Sequence, residues 1–118
     1  MASPHVKDLT DANFQSEVLQ SDKLTLVDFW ATWCAPCRAI APYVEAIAAA
    51  HAQGGTLQVG KMDIDKSPAT PTKYEVRSIP TLLLFHKGKV VGQMVGAVPK
   101  AKLEQFVKDA MAKMAPTV

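Results

Sequence analysis

The run Leu24-Thr25-Leu26-Val27-Asp28-Phe29-Trp30 constrains the fold more than any other stretch of the chain. It is short, apolar and rich in β-branched and aromatic residues, the pattern of a buried strand. Just beyond it stand Cys34-Ala35-Pro36-Cys37, and from Ala35 to His51 the pattern turns helical. Ile40, Tyr43, Val44, Ile47 and Ala48 recur on one helical face. Pro36 suits a first helical turn, where its missing N–H has no helical partner anyway. Pro42 lies inside the helix and is expected to kink it.

The remaining segments alternate in the same way. Thr10 and Asp11 are good caps for a helix over 10–20, with Phe14, Val18 and Leu19 on its inner face. Residues 57–64 alternate as a strand, and Ser67-Pro68 reads as a cap and first-turn proline for a short helix toward Tyr74. Residues 81–85 and 90–95 are two strands around the turn signal Lys87-Gly88, which predicts a hairpin. Pro99 opens a last helix whose stripe is Leu103, Phe106, Val107, Ala110, Met111 and Met114. The two methionines fit the core or its edge by their spacing. Such alternation implies an α/β chain, a mixed sheet with helices on both faces.

Length and charge then exclude several classes. The 118 residues suit one domain spanning 1–118, and 48% hydrophobic content supplies a core without staples or a structural metal. A net charge of +2 gives no basic surface for nucleic acid or an anionic membrane. No apolar run approaches the roughly 20 residues of a membrane span. The start, Met1 to Asp8, lacks the charged and then apolar pattern of a leader peptide, so the expected location is cytoplasmic. A monomer is the default expectation, since no additional interface is evident.

Cys34 and Cys37 are the only cysteines. A zinc site needs about four ligands, and His5, His51 and His86 have no finger-like spacing. Arg38 stands where haem attachment would need histidine. An iron–sulfur cluster needs more thiolates unless it is shared between chains. Two inert buried cysteines or a redox pair remain. A pair that follows a strand and opens a helix favours the second. The helix N-terminus presents unpaired N–H groups and partial positive charge, which favour a thiolate. Cys34 at the tip is the better nucleophile, and Cys37, one turn in, the better resolving thiol. Asp28, read alone, is either a partly exposed strand-end carboxylate or a buried one that must be paired or protonated.

Trp33-Cys34-Ala35-Pro36-Cys37 resembles the thioredoxin active site, usually Trp-Cys-Gly-Pro-Cys. The resemblance extends from about Leu9 to Met111. It includes residues 27–31, Ile40-Ala41-Pro42, residues 61–65, residues 79–85 and Val95-Gly96-Ala97. It implies a thioredoxin fold, a central five-stranded mixed sheet flanked by four helices. It implies a thiol–disulfide oxidoreductase that reduces disulfide-containing protein substrates, is recharged by a thioredoxin reductase and carries no bound cofactor. Asp28 matches the family's buried acid, the proton acceptor for Cys37 through water. Lys61 matches the lysine that modulates that acid. Pro80 matches the cis-proline opposite the cysteines, with Ile79 offering backbone groups to an extended substrate strand. Trp33, Pro36, Ile79, Gly96 and Ala97 then form a shallow apolar docking surface, and Trp30 packs behind the site. Ala35 departs from the usual glycine; its methyl beside the nucleophile is expected to alter redox poise or partner choice modestly. The competing class is a protein-binding module that uses the same surface without redox chemistry.

Overall fold

The computed structural model describes residues 4–114. Of the start read for a leader peptide, Met1 to Asp8, residues 1–3 lie outside the described residues, as does the tail, residues 115–118. Five strands follow in chain order: β1 (Val6–Leu9), β2 (Leu24–Trp30), β3 (Leu57–Asp63), β4 (Thr81–His86) and β5 (Lys89–Val95). Three α-helices accompany them, α1 (Ala35–Ala50), α2 (Ala69–Lys73) and α3 (Lys100–Met114), together with one π-helical segment, Gln15–Leu19. This is the expected five-stranded mixed sheet with four helices, an α/β thioredoxin fold.

The strand order is β1-β3-β2-β4-β5. β3 pairs parallel with β1 and β2, whereas β4 pairs antiparallel with β2 and β5. β2 is therefore central, and its apolar character follows from cover on both faces. On one face Leu24, Leu26, Leu82 and Leu84 pack with Ile40, Val44 and Ile47 of α1 and Leu103 and Val107 of α3. On the other, Val27, Phe29, Met62, Leu83 and Phe85 pack with Phe14 and Val18. Each such side chain contributes about 1.5–3 kcal/mol when fully buried. Phe85 meets Phe14 and Tyr74 edge-on, with ring centroids 5.3 and 5.1 Å apart, which ties the π-helical segment and α2 to the sheet.

The hairpin forms as expected. Lys87 and Gly88 both have positive φ, 52° and 81°, as a two-residue type I′ turn requires. Met111 and Met114 are half-buried against the core, as their spacing indicates. α1 stays helical from Ala35 to Ala50, with Pro42 inside it.

Three features differ from expectation. β1 was not anticipated: its four residues bury only Val6 and Leu9, so no period-2 alternation announces it. The helix expected over 10–20 shrinks to Gln15–Leu19, closed by an i+5 bond from Gln20 N to Gln15 O at 2.9 Å. Thr10 does act as a cap, its Oγ1 accepting from Asn13 N at 3.1 Å. Asp11 instead caps α2, 58 residues away. Its Oδ1 accepts from Thr70 N at 2.8 Å and from Thr70 Oγ1 at 2.7 Å, and its Oδ2 accepts from Ala69 N at 3.1 Å. Ser67, expected as that cap, uses its Oγ to accept from Asp11 N at 3.1 Å.

Candidate active site

The parallel pairing of β2 with β3 carries both chains toward one end of the sheet, where β2 runs out at Trp30. Ala31 to Cys34 then form a turn closed by Cys34 N donating to Ala31 O at 3.2 Å. Cys34 is the N-cap of α1, with extended backbone (φ −93°, ψ 104°), and Pro36 lies in the first turn. Cys34 and Cys37 are joined by a disulfide, with Cα atoms 5.3 Å apart. The Cys37 N–H donates to Cys34 Sγ at 3.2 Å, so a helix-terminal donor with no carbonyl partner is aimed at that sulfur. Both cysteines are buried, and they pack with Ala31, Trp30, Ile64 and Ile79.

Opposite them, the Ile79–Pro80 bond is cis, as expected. The Ile79 carbonyl oxygen lies 3.8 Å from Cys34 Sγ. Pro80 O accepts from Gly96 N at 2.9 Å, and Gly96 has φ +96°, a conformation that glycine tolerates best. Ile79, Pro80 and Gly96 thus join the cysteines in one group. Ala35, Pro36 and Ala97 are exposed beside them.

Trp33 is 65% exposed, an unusual position for an indole. Its Nε1 donates to Asp65 Oδ2 at 2.8 Å. Asp65 is in turn placed by Asp63, whose Oδ1 accepts from Asp65 N at 2.9 Å. Sequence reasoning missed Asp65. Its signal was the Asp-x-Asp spacing at 63–65, a side chain capping its own loop.

Asp28 lies on the β2 face covered by α1, the same face as Leu24 and Leu26. It is 4% exposed, and its Oδ1 has no hydrogen-bond partner. Burial pushes its pKa up to about 7, against the opposing pull of Lys61. Lys61 is its β3 register partner, and Lys61 Nζ lies 5.0 Å from the centre of the half-buried Trp30 ring. A cleft of about 380 Å³ opens at Asp28, walled by Trp30, Thr32, Arg38, Pro42 and Lys61. A buried carboxyl shifted toward neutrality is the kind of group that can hold or release a proton near pH 7.

Among the described residues no group of three or more His, Cys, Asp or Glu side chains is placed to hold a metal ion. The chemistry available here is that of a cysteine pair at a helix mouth, with a buried carboxyl on β2, the strand that leads into it.

The sequence matches known proteins along most of its length. The family model for thioredoxin matches residues 5–109. A thioredoxin of Streptomyces clavuligerus is 52% identical over 98 residues, covering 83% of this chain and 89% of that protein. A thioredoxin of Rhodospirillum rubrum is 47% identical over 106 residues, 90% of this chain and all of that protein. Thioredoxin C-2 of Corynebacterium nephridii is 46% identical over 105 residues, 89% and 95% of the two chains. The Cys34–Cys37 disulfide fits the C-x-x-C pair of such proteins, the matches span most of the sequence, and the chain belongs to the thioredoxin family of thiol–disulfide oxidoreductases.

Proposed function

We propose that the chain reduces protein disulfides, with Cys34 as attacking thiolate and Cys37 as resolving thiol. The observation that carries this reading is Cys34 at the N-cap of α1, its sulfur accepting the Cys37 N–H. That donor and the helix partial charge stabilise negative charge on Cys34.

In the cycle, the Cys34 thiolate attacks one sulfur of a substrate disulfide and expels the other as a thiolate. Cys37 then loses its proton and attacks Cys34 Sγ. The second substrate thiolate leaves, and the Cys34–Cys37 dithiol has supplied two electrons and is left as the disulfide. Asp28 accepts the Cys37 proton through solvent in the cleft, and Lys61 keeps its pKa from rising further. A thioredoxin reductase returns the two electrons, and no bound prosthetic group takes part.

Substrate lies as an extended strand along Ile79 and Pro80, over the surface of Trp33, Ala35, Pro36, Gly96 and Ala97. The Ala35 methyl adjusts redox poise or partner choice without changing the reaction. The chain acts as one monomeric domain over its 118 residues, in the cytoplasm. No helix among the described residues is long and apolar enough to cross a membrane.

The test is reduction of a model protein disulfide with dithiothreitol as electron source. Wild type accelerates the reaction, and Cys34→Ser returns it to the uncatalysed rate. A wild type no faster than dithiothreitol alone overturns the reading and leaves redox-independent docking on the same surface.

A further inference from the structure

Several links close the segment that carries both cysteines. The disulfide joins Cys34 to Cys37, Cys34 N donates to Ala31 O, and Arg38 N donates to Cys34 O. One further link is made by a side chain: Arg38 Nη1 donates to the Thr32 carbonyl oxygen at 2.8 Å. This bond is shorter than the two backbone bonds, both 3.2 Å, and it encloses residues 32 to 38. Trp33, both cysteines, Ala35 and Pro36 all lie within the loop it closes.

We propose that Arg38 is a positioning residue, a strap that holds the reduced Thr32–Cys37 segment in the geometry of its disulfide form. This rests on Cys34 and Cys37 being the redox pair. The strap is anchored at one end on α1, directly after Cys37, and at the other on the exposed turn before Cys34. Once the disulfide opens, the turn keeps its bonds from Cys34 N to Ala31 O and from Trp33 to Asp65, and Arg38 is the side chain that ties it to α1. Thr32 and Trp33 are exposed, and the helical hydrogen bonds begin only beyond them. A guanidinium suits the task because its planar fork of donors is rigid and loses little freedom for each hydrogen bond it makes. Its bond to a carbonyl is charge-assisted and stronger than a neutral one.

The consequence has a definite sign. With the disulfide closed, Thr32 and Arg38 are already held in the geometry the strap needs, so the strap is made most fully there. By linkage it favours closure to the same extent: in the reduced form it keeps the two sulfurs near each other, which lowers the entropy lost on closing the disulfide. Removing it lowers the effective concentration of one thiol at the other, so the disulfide becomes easier to reduce. Loss of positive charge alone acts in the opposite direction, because it destabilises the Cys34 thiolate and makes the disulfide harder to reduce.

The measurement is the equilibrium of the whole chain with glutathione at pH 7. The Cys34–Cys37 disulfide and two glutathione thiols give the dithiol and one glutathione disulfide, read by trapping free thiols. In Arg38→Met the equilibrium constant for forming the protein disulfide falls about three- to tenfold, the worth of one hydrogen bond. At roughly 30 mV per tenfold change, the potential becomes about 14–30 mV more oxidising. Arg38→Lys, which keeps a charged donor, recovers part of the loss. Cooperative thermal unfolding of the three oxidised proteins shows that the fold is intact. A constant in Arg38→Met that is unchanged or increased at about 1 M salt, where the charge effect is screened, overturns the strap while leaving the redox pair standing. A wild type that never equilibrates with glutathione overturns both.

Discussion

The first and last halves of β2 occupy the same central position in the sheet and are built on opposite terms. Leu24 and Leu26 are fully buried among apolar side chains of α1, α3 and β4. Two residues on, and on the same face, Asp28 is 4% exposed with Oδ1 unpartnered. β3 repeats the contrast, with Val59 in the apolar cluster and Lys61 in register with Asp28. Beyond Trp30 the chain leaves the sheet altogether for the exposed Trp33 and the cysteine pair. Stabilisation and chemistry are thus separated along one strand rather than between layers. An apolar segment rigid enough to fix its neighbours allows a carboxyl to be held where folding alone would not put it.

Substitution at the two ends should therefore change stability with opposite sign. The largest effect is expected at Asp28. Its native pKa of about 7 lies above the ordinary carboxylate value of 3.8, so the folded protein binds more protons than the unfolded chain between those values. Stability accordingly falls as pH rises from about 4 through 7. At about 1.4 kcal/mol per pH unit, this reaches about 4 kcal/mol above pH 7. Asp28→Asn should raise stability toward that amount at pH 8 and by almost nothing at pH 4, as urea unfolding of the oxidised protein would read. Equal gains at both pH values would remove the contrast between the two ends.

Leu26→Ala comes next, with a loss of about 3 kcal/mol from the cavity it leaves, independent of pH. A smaller loss than at partly exposed positions would show that the apolar half is not what holds the strand.

Asp11 sharpens the comparison with the smallest effect, because it is an aspartate placed on favourable terms. Desolvation raises its pKa, but hydrogen bonds from the Thr70 side chain and from the Thr70 and Ala69 backbones outweigh this and lower it. Its contribution is present above the ordinary carboxylate pKa and is lost as pH falls through the lower native value. Asp11→Ala should cost about 1 kcal/mol at pH 7, the usual worth of a cap, and less at pH 2. The sign of its pH dependence is opposite to that of Asp28, and unfolding curves for the two variants at matched pH would show it.

Much of this was legible in the residues. The buried run at 24–30, the cysteine pair at a helix mouth, the Lys87-Gly88 turn and the stripe of α3 are local patterns, each set by periodicity or by the chemistry of one turn. Illegible elements depend on distant partners. β1 has only four residues, and what makes it a strand is its pairing with Val59 to Met62. Asp11 looked like a cap for the helix after it, yet the donors it serves are at Ala69 and Thr70. Asp65 and Arg38 are ordinary surface residues in the sequence, and their bonds to Trp33 and Thr32 exist only because the loops meet.

The sequence by itself determined the fold class, the place of Cys34 and Cys37 at the start of a helix and the kinship that these residues share with thioredoxins. Local periodicity and turn chemistry act within a few residues and need no tertiary partner to be read. Tertiary structure alone decided the strand order and the register of Asp28 with Lys61, whereas the burial of Asp28 and the cis bond at Pro80 were expected from the family resemblance and not from any local pattern. Burial and register arise when separate segments come together. A carboxyl's pKa is set by the solvent it loses and the charges it meets there, and neither is present in the chain until the sheet has formed.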